Sequence, residues 1–149
     1  MDDQPIPRGI RNNNPLNIRS GMMWQGLKNP QTDPAFAQFI SMAYGIRAAA
    51  KTLLTYYNVH KITTIGRIVV NGIQREGIIS RWAPESENDT RAYEADVCQR
   101  TGFKLDQPLD LRTRYFMRPL IDAMIWHENG QNPVSDKDMD LGLTMAGVL

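Results

Sequence analysis

Met117, Ile121 and Met124 recur at helical spacing, and the next position in that stripe is an acid, Glu128. Two residues later stands Gly130, which can take the positive φ that ends a helix. The spacing therefore predicts a helix that places one carboxyl group at the C-terminal end of its buried face. Desolvation disfavours the charged form there, and the negative end of the helix pushes the same way. A carboxylic acid that keeps its proton near neutrality is what glycoside cleavage needs as a proton donor. The plainer alternative is a helix-end acid in solvent, and the register with Met124 and Ile121 argues against it. His127 points about 100° away around the same helix, so it is expected on the surface rather than as a base.

A chain of 149 residues is long enough for one domain with a core, and residues 1–149 read as a single domain. The formal net charge of +1 provides no strong field for nucleic acid or an anionic membrane. No apolar run reaches about 18 residues, so no membrane insertion is expected. No basic and apolar leader stands at the start, so no secretory signal is expected. The single cysteine, Cys98, cannot form an internal disulfide and reads as a small core residue rather than a nucleophile. His60 and His127 lie far apart with no cysteine cluster, so neither a metal nor any other cofactor is expected.

Residues 1–12, with Pro5, Pro7 and Gly9, read as a flexible arm. Asn12-Asn13-Asn14-Pro15 reads as a turn. Leu16 and Ile18 then alternate as in a strand, and Gly26, Pro30 and Pro34 interrupt the stretch up to residue 40. Residues 16–40 are thus expected to form a small, irregular two-stranded β lobe. The helical lobe, residues 41–149, opens with Ser41 as N-cap and an amphipathic helix to about residue 57. Gly45 in its first turn costs about 1 kcal/mol of helix propensity, so close packing is expected to require its missing side chain. Thr64 caps a second helix, interrupted at Asn71-Gly72 and again at Gly77. A polar loop over 85–90 leads into a helix that buries Tyr93 and Val97 and stops at Gly102. The Glu128 helix either starts near Phe116 or bends at Pro119. Ser135 and Asp138 form a capping box for a last short helix.

Glu128-Asn129-Gly130-Gln131-Asn132-Pro133 resembles the Glu-Ser-x-x-Asn-Pro signature of lytic transglycosylases and goose-type lysozymes, with Asn129 in place of the usual Ser. Arg8-Gly9-Ile10-Arg11-Asn12-Asn13-Asn14-Pro15, Trp24-x-Gly26, Gly45-Ile46-Arg47-Ala48 and Arg81-Trp82-Ala83-Pro84 leading to Tyr93 resemble short phage and prophage proteins. Those are regarded as virion structural proteins or peptidoglycan-degrading enzymes. With the Glu128 stretch the resemblance spans residue 8 to about 146, with extra residues around 70–77. Asn14-Pro15-Leu16-Asn17-Ile18, with Trp24 and Phe39, is also similar to the β lobe of flagellar-type glucosaminidases. In those enzymes the catalytic Glu helix precedes the β lobe, whereas here it comes after. The resemblance therefore implies a mainly α, lysozyme-like fold with a small β lobe, in circularly permuted order.

It further implies cleavage of the β-1,4 bond between N-acetylmuramic acid and N-acetylglucosamine in peptidoglycan glycan strands, with Glu128 as general acid. Tyr93 would bring its hydroxyl to the cleft, or be core. Glu87, among Glu85, Glu87 and Asp89, is the candidate second carboxylate, or part of a solvated cap. Asn13, Asn14, Asn17, Trp24, Tyr44, Trp82, Asn88 and Thr90 are the candidate substrate-binding residues. For the asparagines the alternative is turn formation alone, and for the aromatics it is core packing. With a second carboxylate the outcome is hydrolysis, and without one it is the anhydro product of a lytic transglycosylase. The implied setting is a phage- or prophage-encoded protein made in the host cytoplasm and delivered to the periplasmic wall, with other virion proteins as partners. A non-catalytic virion or wall-binding protein of the same fold is the alternative. A toxin delivered into rival bacteria is a third.

Overall fold

A computed structural model describes residues 5–71 and 87–149. Among them the chain is mainly α, with six helices: α1 Arg8–Arg11, α2 Met42–Asn58, α3 Ile65–Asn71, α4 Glu87–Thr101, α5 Arg114–Asn129 and α6 Asp136–Ala146. The boundaries follow local chemistry. Ser41 precedes α2 with extended backbone, although its side chain makes no capping bond. The Thr64 hydroxyl accepts from Arg67 N–H in the first turn of α3 at 3.3 Å. Ser135 caps α6 by accepting from the Asp138 amide at 3.1 Å. Gly102, Gly130 and Gly147 end α4, α5 and α6 with φ near +78°, +69° and +84°. Pro119 lies well inside α5, which starts at Arg114, and so removes one bond of its helical ladder.

The helices surround one apolar core. α2 supplies Ile46, Leu53 and Tyr56, α5 supplies Met117, Leu120, Ile121, Met124 and Ile125, and α6 supplies Met139 and Leu143. Two glycines set the approach of neighbouring backbones. A Cβ on Gly142 of α6 would run into Ile46 and the Ala43 carbonyl of α2. A Cβ on Gly45 would overlap the Asn13 carbonyl oxygen, so the expected need for a bare backbone at Gly45 is met by a turn rather than a helix.

Two expectations are corrected here. Residues 16–40 do not form a two-stranded lobe. Among the described residues the segment has two isolated antiparallel bridges, Arg19–Phe36 and Leu27–Phe39. Asn17, Gly21 and Gly26 take positive φ, and Pro30 and Pro34 have no N–H to pair, so no ladder can run further. Side chains provide the bonds that a sheet would have. The Asn14 amide donates to Ile18 and Ala37 carbonyls, both at 2.8 Å, and its oxygen accepts from Ile18 N–H at 2.9 Å. Gln38 and Gln31 bond each other's stretch of backbone in the same way.

The second correction concerns the arm. Residues 8–11 are helical and held in place. Arg8 forms a two-point ion pair with Asp33, 2.7 Å from Nε, and its guanidinium lies 4.6 Å over the Phe36 ring. That hydrogen bond from Arg8 outweighs desolvation and holds the Asp33 carboxyl well below its ordinary range. Asn12 bonds both Asp33 and Gln38. No helix among the described residues is long and apolar enough to cross a membrane.

Gly45→Ala should destabilise the fold by about 3 kcal/mol, since either the Asn13 turn or α2 must shift. Lys51→Ala, on the exposed side of α2, should stay within about 0.5 kcal/mol of the parent. Chemical denaturation of both variants checks this.

Candidate active site at the end of helix α5

The buried stripe of α5 continues to its last turn, where Glu128 is held largely out of solvent. Burial pushes its carboxyl up to about 8 from an ordinary value of 4.5, against a hydrogen bond from the Asn17 amide that pulls it down. No like-charged neighbour among the described residues contributes to the rise. Asn17 has a left-handed backbone, at φ +54°. Its carbonyl oxygen Oδ1 is buried and has no hydrogen-bond partner among the described residues.

The neighbouring residue fixes this arrangement. Asn129 donates from one amide nitrogen to the Pro15 carbonyl at 2.8 Å and to the Ile125 carbonyl of its own helix at 3.0 Å. A serine, with one O–H, could make only one of these bonds. The departure from the usual signature thus ties the Asn14–Ile18 turn to the end of α5. Gly9 of α1 sits over the junction, where a Cβ would come within 3.0 Å of both Asn129 Oδ1 and Asn17 Oδ1. Further along, Asn132 bonds Asp122 and accepts from Val134 N–H, closing the chain back onto α5.

Tyr93 approaches from α4. It is 1% exposed, and burial, with the charges of Glu128 and Asp96 behind it, pushes its phenol well above the ordinary range. Its hydroxyl has no hydrogen-bond partner among the described residues. Tyr93 feels the charge of Glu128, and Glu128 takes a hydrogen bond from Asn17.

His127 is a correction. It is not a free surface residue: its side chain is 27% exposed, its Nδ1 stands 2.8 Å from Asp96, and its ring centroid is 4.1 Å from that of Tyr93. Burial pushes the Asp96 carboxyl up, but hydrogen bonds from His127 and Arg100 outweigh it and hold the group below its ordinary range.

The remaining candidates divide. Asn14 is 0% exposed and its side chain bonds Ile18 and Ala37, so it is closed to a substrate. Asn13 is left-handed and donates to the Phe39 carbonyl at 3.1 Å. Trp24 is half-buried against the core, with an indole N–H that has no partner among the described residues. Tyr44 is half-buried under the backbone of Gly26, where a Cβ would enter its ring. Thr90 is half-buried on α4, one turn before Tyr93. Trp82 and the side chains of Glu87 and Asn88 lie outside the described residues. Asp96, Asn129 and Gly9 were not anticipated. Tyr93, Asp96 and Arg100 do share one stripe of α4, and that was the available signal.

A mainly α phage-type protein carries this site. The chain is 40% identical over 139 residues to Protein P5 of Pseudoalteromonas phage PM2, a match that covers 91% of this chain and 79% of that protein, and it belongs to the family of that protein. No protein-family model matches it.

The raised Glu128 carboxyl has a stability consequence. The folded protein keeps this proton up to about pH 8, whereas the unfolded chain releases it near 4.5. The stability contributed by the proton is full below the unfolded value, is lost as pH rises, and is gone at the folded value. Glu128→Gln should therefore match the parent near pH 4.5 and exceed it at pH 8 by on the order of 2–4 kcal/mol. Urea unfolding across that range is the check, and an advantage that does not grow with pH would contradict it.

Proposed function

We propose that this protein cleaves peptidoglycan glycan strands between N-acetylmuramic acid and N-acetylglucosamine, with Glu128 as general acid. The observation that carries the reading is a half-buried carboxyl group at the end of α5, where burial pushes it up to about 8 and so favours its protonated form at neutral pH. The sequence around it, from Glu128 to Pro133, resembles that of lytic transglycosylases and goose-type lysozymes, which supports the same chemistry. The lysozyme-like fold in circularly permuted order belongs to this proposal. So does delivery to the host wall from a phage particle, which the phage relative supports.

In the proposed reaction Glu128 donates its proton to the leaving glycosidic oxygen as the sugar develops oxocarbenium character. Burial keeps the proton on until the substrate's own oxygen becomes the better base. Asn17, already bonded to the carboxyl, stabilises the anion left behind. Attack by the muramic 6-hydroxyl then yields a 1,6-anhydro end and adds no water. If Glu87 instead activates a water, the product is a reducing end.

Digestion of purified sacculi should release muropeptides, and mass spectrometry separates the two outcomes because the anhydro product is one water lighter than the hydrolysis product. Glu128→Gln should lose on the order of 10³-fold or more in turnover while staying folded and bound to sacculi. Parent activity should hold below about pH 8 and fall about tenfold per unit above it, as the acid loses its proton. A protein that binds sacculi but releases nothing, before and after the substitution, would be a wall-binding virion component instead.

A further inference from the structure

One stripe of α4 meets the end of α5 residue by residue. Tyr93, Asp96 and Arg100 recur at spacings of three and four, which puts them on one helix face. Arg100 lies 5.1 Å over the Trp126 ring and bonds Asp96 at 2.9 Å. Asp96 bonds His127 Nδ1 at 2.8 Å through its other oxygen. The His127 ring lies 4.1 Å from Tyr93, tilted by 44°. The charge of the next residue, Glu128, adds to burial in raising the Tyr93 phenol.

We propose that Asp96 and His127 form a positioning pair that holds the Tyr93 ring, and with it the phenol hydroxyl, in place beside the end of α5 that carries Glu128. This rests on the reading of Glu128 as the general acid. A carboxylate that accepts from Nδ1–H fixes both the tautomer and the plane of an imidazole. That plane is the surface on which the Tyr93 ring rests. The buried hydroxyl has no hydrogen-bond partner among the described residues. It is therefore a donor left open for the carboxylate that remains once Glu128 has given its proton away. His127 and Asp96 would thus act through Tyr93, without touching the sugar.

Steady-state turnover of purified soluble glycan strands tests this. Asp96→Ala and His127→Ala should lower kcat by about 10-fold with KM within about 2-fold of the parent, because orientation is lost and binding is not. Asp96→Asn keeps an acceptor for Nδ1–H and should restore most of the rate. His127→Ala should add little in a Tyr93→Phe background, since both changes remove one function. Should His127→Ala fail to fold, His127→Phe keeps the ring packing, loses the bond to Asp96 and carries the same expectation.

If Asp96→Asn is as harmful as Asp96→Ala, the charge matters and His127 is not a positioning residue. Full additivity with Tyr93→Phe, or an unaffected Tyr93→Phe, overturns the proposal as well. If Glu128→Gln is inactive while Asp96→Ala and His127→Ala keep the parent kcat, only the positioning pair falls. If Glu128→Gln retains turnover, the pair falls together with the function it serves.

Discussion

Keeping the Glu128 carboxyl out of water is costly whenever that group is charged, and the surrounding structure is arranged around this fact. The apolar stripe of α5 leads to the group, which stands half-buried in the last turn. The Asn14–Ile18 turn closes over it from one side, with the Asn17 amide as its hydrogen-bond partner. α4 closes from the other, with Tyr93 wholly buried against it. The outcome is a group that keeps its proton to higher pH than a solvated carboxyl does.

The frame around Glu128 depends on amide side chains rather than on a sheet. Asn12, Asn13 and Asn14 bond the N-terminal segment to itself, and Asn17 and Asn129 bond it to the end of α5. Asparagine suits this role for two reasons. It tolerates the left-handed backbone found at positions 13 and 17, and it offers donor and acceptor at once. Gly9, Gly45 and Gly142 complete the arrangement by letting backbones approach where any side chain would intrude.

Much of this was legible from periodicity and punctuation. The extents of α2 and α6, the stop at Gly102, the burial of Tyr93 and Val97, and the inward register of Glu128 all follow from local patterns. What escaped was non-local. The Leu16–Ile18 alternation marks two fully buried side chains, but positive φ at Asn17 breaks the strand that it suggests. Arg8 reads as a polar arm residue until Asp33, twenty-five residues later, is seen to pair with it. His127 is set one step round the helix from Glu128, and helical geometry alone sends it to solvent. Only the neighbouring α4, with Asp96 facing it, makes that position an interior contact. Asn129 likewise reads as a departure from a motif until its second bond, to Pro15, is known.

The central claim is that one carboxyl group is protonated at neutral pH because it is buried. Site-resolved titration tests this most directly, by following the side-chain carboxyl carbon of Glu128 in ¹³C-labelled protein, assigned by its loss in Glu128→Gln. The account predicts a midpoint near 8, well separated from the ordinary 4.5. A midpoint at the ordinary carboxyl value would contradict it and remove the basis for the acid.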